Sequence, residues 1–446
     1  MDIAAARAWL DGHLDHESTS VGVAAGKIEG LSLAPMRELM ALLGDPQDAM
    51  PVIHVTGTNG KGSVVSMLRR LLMANGLSVG TLTSPHLAVA NERIARDGQP
   101  ISDEELAEVL SGVAAVEELL EHDPTWFEVV TAAGLRWFAE APVDVAVVEV
   151  GLLGRYDATN VVSADVAVVS SVGGDHTDFA PGWERAVAQE KAGIITPGRP
   201  VVLGDVAGSL RDVFSAEGAD PVLTLGSEFE ILDSRLAVGG RLLDLAGPRG
   251  THLGVLVAAH GAHQAENAAV ALCAAEEFFG RALDDEVVTE AFAEVELPGR
   301  LEVVDHQPLV VLDSAHNPDA LARVAETLDD DFAVLGSRLV VLGMLAGRDP
   351  ASAVEALAPA RPDLIICTNP DRAGRGLEPS TLAAAADSMG IAAEVVADPA
   401  EAMVRAMAVA DEEDLILVCG SSRLVGALRL GLIAAATPPD DPEFQE

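Results

Sequence analysis

The sequence predicts an α/β protein in which a P-loop-type parallel-sheet domain precedes a smaller Rossmann-like α/β domain. Three observations carry this. Short Val/Ile/Thr-rich runs alternate with longer Ala/Leu-rich helical patterns, the rhythm of a parallel sheet covered by helices on both faces. A Gly-rich turn joins one of these runs to a helical pattern just after residue 56. The alternation is interrupted over 228–258 and restarts after Leu297-Pro298-Gly299, dividing the chain into 1–297 and 298–446.

Taken in order, the N-terminal stretch MDIAAARAWLDGHLDHE reads as an amphipathic helix carrying acids, without the basic start and apolar centre of a signal peptide. Strands follow at 52–56, 78–83, 144–150 and 165–171, with helices at 62–75, 103–121, 128–140 and 183–195. Gly-Gly and Pro-Arg-Gly turns between alternating segments make 228–258 a set of hairpins at the side of the domain. Helices at 263–280 and 284–294 close the first half. In the second half, strands at 309–313, 338–343, 363–368, 391–396 and 414–419 alternate with helices at 318–328, 351–359, 379–388, 399–409 and 422–433. The Pro- and acid-rich end, 438–446, is expected to fray.

Composition sets limits on function. Of 446 residues, 49% are apolar but only 3% aromatic, so the cores rest on Ala, Val, Leu and Ile. The formal net charge of −42 repels nucleic acid and anionic membranes, and no run approaches the ~18 apolar residues of a membrane span. A cytoplasmic monomer with no nucleic-acid or membrane partner is the expectation. An anionic substrate would need a locally cationic site made from backbone N–H groups, metal ions or a few bases. Lysine is scarce, with Lys27, Lys61 and Lys191 only. Cys273, Cys367 and Cys419 are odd in number and widely spaced, which argues against both disulfides and a zinc site.

Residues 52–63 read VIHVTGTNGKGS. An apolar strand runs through Thr58, Asn59 and Gly60 to Lys61, Gly62 and Ser63, and then into an apolar helix. Glycines let backbone N–H groups curl around phosphate oxygens; the lysine reaches the outer phosphates and the serine can ligate magnesium. The strict G-x-x-x-x-G-K-[ST] pattern is not met, because Val55 stands at the first Gly and Gly62 follows the lysine. A plain strand-to-helix turn is the competing reading of this segment alone.

Three further strand ends offer metal donors: Ser84 in TSPHL, Glu149 before GLLGRYDATN, and His176 in GGDHTDF. Two oxygens and one imidazole beside a triphosphate suit Mg²⁺. Taken singly, Ser84 and His176 are better explained by a cap or turn hydrogen bond; it is their shared edge with Glu149 that favours a metal. Lys191, in AQEKAGII, is otherwise an ordinary surface lysine.

GTNGKGS, TSPHL with NERI, EVGLLGRYDATN, DHTDF, QEKAGI, HQAENA, PGRLE, DSAHNP and GML follow one another over about residues 20–430. In this order they resemble the folylpolyglutamate synthase and dihydrofolate synthase family of the Mur ligase superfamily. The resemblance implies an N-terminal ATPase domain of the Mur central type and a C-terminal domain of the Mur C-terminal type, with catalysis between them. It implies ATP and Mg²⁺, with L-glutamate and a folate or dihydropteroate as the substrates joined through an acyl phosphate. By matched position, Lys61 and Ser63 serve phosphate and the first magnesium, and Ser84, Glu149 and His176 the second. Lys191 matches a lysine carried as a carbamate; Asn267, Arg300 and Asp313 match nucleotide residues, and His316 matches a site near nucleotide and glutamate. The chain departs from the family pattern with Leu153 for Gly, Tyr156 for Leu, Gly174 for Leu, Ser314 for Gly, and GMLAGRD for GMLADKD. The stretch DPTWFEVVTAAG stands where the family contacts folate, so Trp126 and Phe127 either stack on a pterin or simply start an apolar helix. Another amino-acid ligase of the superfamily, or a nucleotide-binding regulator without turnover, are the alternatives.

Overall fold

A computed structural model describes residues 1–14, 32–175, 177, 179–371 and 374–436. Lys27, His176 and the expected frayed end lie outside the described residues. The chain forms two compact units, Met1–Glu296 and Leu297–Glu446. Among the described residues no helix is long and apolar enough to cross a membrane.

The first unit runs α1 (Ile3–Leu10), α2 (Ala34–Leu42), β1 (Val52–Thr56), α3 (Lys61–Ala74), β2 (Val79–Leu82), β3 (Ile94–Arg96) and β4 (Gln99–Pro100). It continues with α4 (Asp103–Glu117), α5 (Trp126–Glu140), β5 (Val145–Glu149), β6 (Val166–Ser171), α6 (Trp183–Ala192), β7 (Val201–Asp205), α7 (Arg211–Ala216) and β8 (Val222–Thr224). A ribbon of β9 (Glu230–Ala237), β10 (Gly240–Ala246) and β11 (Thr251–Val257) precedes α8 (Ala262–Phe279) and α9 (Asp285–Ala293).

Among the described residues the main sheet has the order β4-β3-β2-β5-β1-β6-β7-β8. From β2 to β8 it is parallel, and β3 and β4 add an antiparallel edge that the alternation of strands and helices does not announce. β1 and β5 are buried along their whole length, as strands covered on both faces must be. One face packs on a core that includes Met36, Leu110, Val129 and Phe138; the other packs on Ala188, Ile194 and Phe214. Ser102 with Glu105, and Thr125 with Glu128, form capping boxes that fix the starts of α4 and α5. The three-stranded ribbon is antiparallel, as the turn chemistry predicts.

The second unit runs β12 (Glu302–His306), β13 (Leu309–Leu312), α10 (Pro318–Asp330), β14 (Arg338–Leu342), α11 (Pro350–Leu357), β15 (Leu364–Cys367), α12 (Pro379–Ser388), β16 (Ala392–Val395), α13 (Pro399–Val409), β17 (Leu415–Cys419) and α14 (Ser422–Ala436). Among the described residues its sheet has the order β12-β13-β17-β14-β15-β16, parallel except for β12. Several of its helices open with Pro at the first turn, where the missing N–H costs nothing.

Candidate active site

Four connections meet at the carboxyl edge of the first sheet because β2, β5, β1 and β6 lie side by side and parallel. From β1 the chain passes beyond β5 to β2, and later returns to place β6 on the other flank of β1. Open α/β sheets bind ligands at such reversals of strand order.

The loop after β1 enters α3 at Lys61. Gly60 has φ +84°, and a Cβ there would lie 2.5 Å from Asn267 Oδ1, so both conformation and space demand glycine. The same closeness sets Asn267, from α8, against the loop. The first N–H groups of α3 have no partner within the helix and carry the positive end of its dipole. Ser63 is buried in that first turn. Lys61 Nζ donates to the Gly57 carbonyl at 3.0 Å, which holds the ammonium over the loop.

Glu149 ends β5 and is buried, and its carboxylate oxygens would lie 3.7 and 3.8 Å from a Cβ at Gly62. Its Oε2 accepts the Ser84 N–H at 3.0 Å. Ser84 belongs to a loop organised by Glu92, whose carboxylate accepts the N–H groups of Leu87, Ala88 and Val89 at 2.8, 2.9 and 2.8 Å. Lys191 lies in the last turn of α6 and is only 2% exposed. Burial drives its ammonium well below the usual lysine range; the charge of Lys61 lowers it further, and Asp175 opposes the shift.

The loop after Glu149 is held by Asp157, whose carboxylate accepts Leu152 N at 2.8 Å and Thr159 N at 3.0 Å. Burial raises the Asp157 pKa, and these hydrogen bonds oppose the rise. Thr159 Oγ1 also meets His54 Nε2 at 2.9 Å; buried in β1, that imidazole is pushed down to about 3 and stays neutral. Leu153 adopts φ +58°, a conformation suited to the glycine of the family pattern. Its side chain is buried against Val187 and Trp183, which offsets the strain.

Trp126 is 8% exposed, and the Arg93 guanidinium lies 4.6 Å from its ring centroid. Arg93 Nε donates to His86 Nδ1 at 2.9 Å. The face of Trp126 is therefore occupied by the protein itself, and of the two expected aromatics only Phe127 stays half-exposed beside the Glu149 loop. A Cβ at Gly151 would lie 2.7 Å from the Phe127 ring.

In the second unit Asp313 directly follows β13, accepting Leu301 N at 2.9 Å and Ala315 N at 2.7 Å. Burial raises its pKa and the nearby Arg300 lowers it. His316 Nδ1 lies 2.9 Å from the Ser314 carbonyl, so Nδ1 carries the proton there. Arg429 grips Glu302 bidentately at 2.7–3.0 Å, and Glu302 accepts Gly299 N at 2.8 Å, fixing the turn that presents Arg300.

The structure thus gathers Thr58, Asn59, Gly60, Lys61, Gly62, Ser63, Ser84, Glu149, Lys191 and Asn267 at one sheet edge in the first unit. Arg300, Asp313 and His316 share a turn region in the second. Among the described residues no three His, Cys, Asp or Glu side chains form a group able to hold a metal alone. A buried carboxylate with two hydroxyls beside a phosphate loop fits a hard cation that takes its remaining ligands from phosphate and water. Two residues not singled out from the sequence, Ser170 and Ser171, also touch the loop; the available signal was a pair of hydroxyls ending the strand just before GGDHTDF.

Comparison with known proteins places the chain in a family. Residues 55–275 match the Mur ligase middle domain, and 299–422 match the Mur ligase glutamate ligase domain. A Mycobacterium tuberculosis dihydrofolate synthase/folylpolyglutamate synthase is 39% identical over 381 residues, covering 80% of this chain and 77% of its own. The chain belongs to the dihydrofolate synthase/folylpolyglutamate synthase family. Solved members of the family superpose along nearly its whole length. M. tuberculosis folylpolyglutamate synthase complexed with ADP gives a TM-score of 0.88 at 34% identity, covering 98% of this chain and 99% of that one. The Yersinia pestis bifunctional folylpolyglutamate synthase/dihydrofolate synthase, complexed with AMPPNP and manganese, gives 0.83 at 31% identity, covering 97% and 98%.

Proposed function

We propose that this chain is an ATP-dependent ligase that joins L-glutamate to the carboxylate of dihydropteroate or a folate. The observation that carries the reading is the meeting of a Gly-Lys-Gly-Ser helix start with buried Glu149, Ser84 and Lys191 at one sheet edge.

Residues 1–297 form the ATP-binding domain in this reading, and 298–446 the Mur C-terminal-type domain. The backbone of Thr58–Ser63 cradles the phosphates of ATP, and Lys61 holds the outer ones. Asn267, Arg300 and Asp313 serve the nucleotide, and His316 lies near the nucleotide and the incoming glutamate. A Mg²⁺ ion held by Ser63, Ser84, Glu149 and His176 would neutralise phosphate charge. Oxygen of the substrate carboxylate attacks the γ-phosphorus, ADP leaves, and an acyl phosphate results. The glutamate amine then attacks the acyl carbon, loses a proton and expels phosphate, forming the amide. The protein supplies no covalent nucleophile; its residues align the reactants and keep water away. Lys191, buried and with its ammonium disfavoured by that burial, is the candidate for carbamylation. The chain works as a cytoplasmic monomer on small anions, with no nucleic-acid or membrane partner.

Phosphate release is the test. It should require ATP, Mg²⁺, glutamate and either dihydropteroate or tetrahydrofolate, and Lys61→Ala should lower it at least ~100-fold. Release with neither acceptor present would reduce the protein to an ATPase, and near-normal turnover in the variant would refute the loop assignment.

A further inference from the structure

Two consecutive serines at the end of β6 stitch the phosphate loop in place. Ser170 Oγ donates to the Asn59 carbonyl at 2.6 Å. Ser171 Oγ accepts the Asn59 N–H at 2.9 Å and donates to the same Asn59 carbonyl at 3.0 Å. Both lone pairs of that carbonyl are thereby taken. The Ser171 carbonyl also accepts Thr58 N at 3.0 Å, and Thr58 Oγ1 accepts Gly173 N at 2.9 Å. Neighbouring strand residues normally point to opposite faces. Ser170 and Ser171 reach one oxygen because β6 ends at Ser171. The contact also needs Gly57, since a Cβ there would lie 1.9 Å from Ser170 Oγ.

The consequence is directional. Among the described residues the cis peptides are 84–85, 220–221 and 307–308, so the 59–60 peptide is trans. In a trans peptide the carbonyl and the following N–H point opposite ways. Anchoring the Asn59 oxygen to β6 therefore turns the Gly60 N–H away from β6 and keeps a repelling carbonyl from facing phosphate on that side. We propose that Ser170 and Ser171 are positioning residues that pre-set the Asn59–Gly60 peptide for nucleotide phosphate. The proposal rests on residues 57–63 being the phosphate loop.

The test uses the full chain as wild type, Ser171→Ala, Ser171→Thr and the Ser170→Ala/Ser171→Ala pair. ADP affinity is measured by calorimetry with Mg²⁺, alongside melting temperature and the KM and kcat for ATP. Ser171→Ala should weaken ADP about tenfold, the scale of one or two lost hydrogen bonds, with the loss falling on KM rather than kcat. Ser171→Thr keeps the hydroxyl and should restore affinity, and the double variant should bind more weakly still. Unchanged ADP affinity in Ser171→Ala overturns the proposal, as does a loss that Ser171→Thr fails to repair. A lowered melting temperature with normal affinity assigns the hydroxyls to the fold alone and overturns it equally. Should the double variant not fold, the half-buried Ser171 variants decide the matter. ADP binding needs neither folate nor glutamate, so tight binding without ligation would sink the ligase reading and leave this one standing.

Discussion

Lys191 shows how far a single residue can be read from sequence. Its scarcity marks it, but only the structure shows an amine at 2% exposure beside Lys61 and Asp175. A lysine pKa lowered by folding means that the unfolded chain binds the proton more tightly than the folded chain does. Stability is therefore lost as pH falls below the unfolded value near ~10.4. In CO₂-free buffer at pH 7, Lys191→Met should raise the melting temperature while abolishing ligation; a lower melting temperature would show that the amine is well accommodated. The carbamylation proposed above would add this nitrogen to CO₂ with loss of a proton, placing an anion where the lysine stands. Lys191→Ala should then be slow and partly rescued by formate or acetate, read as restored phosphate release. Lys61, Ser63 and Glu149 stood out as candidates because phosphate and metal chemistry restrict residue type at strand ends, and the structure brings them to one sheet edge. Ser170 and Ser171 were not, since serine ends strands and caps turns everywhere.

At the level of elements, periodicity placed the long helices and the buried strands β1, β2, β5 and β6, where burial leaves little choice of residue. It left out α2, α7, β7, β8 and β12; α7 and β8 are short, at six and three residues, whereas β7 is as long as β1 and α2 as long as α9, so length does not explain the omission of those two. The antiparallel β3–β4 edge, which also escaped, is short as well, at three and two residues. The loop after β5 is a different case, because there sequence and conformation disagree locally. Leu153 stands in the left-handed region yet buries its side chain against Val187. Leu153→Ala keeps the strain and loses the packing, at a cost of about 2–4 kcal/mol. Leu153→Gly loses the same packing but relieves about 1–2 kcal/mol of strain, so glycine should be the milder change. Urea midpoints of the two variants settle this; alanine proving milder would mean that the backbone is not strained there.

For the molecule as a whole, the net charge of −42 opposes both compactness and the approach of anionic substrates. Salt relieves both, since the Debye length shrinks from about 30 Å at 0.01 M to about 3 Å at 1 M. Melting temperature and the association rate of ATP should both rise with KCl over that range, measured by calorimetry and stopped flow. A falling association rate would mean that the local cationic loop outweighs the global field. The same composition that fixes this response leaves three lysines in 446 residues, and two of them, Lys61 and Lys191, sit at the carboxyl edge of the main sheet. An amine-reactive dye that reaches Lys61 will thus report on occupancy of that edge. Thiol reagents offer no substitute, because Cys273, Cys367 and Cys419 are all buried.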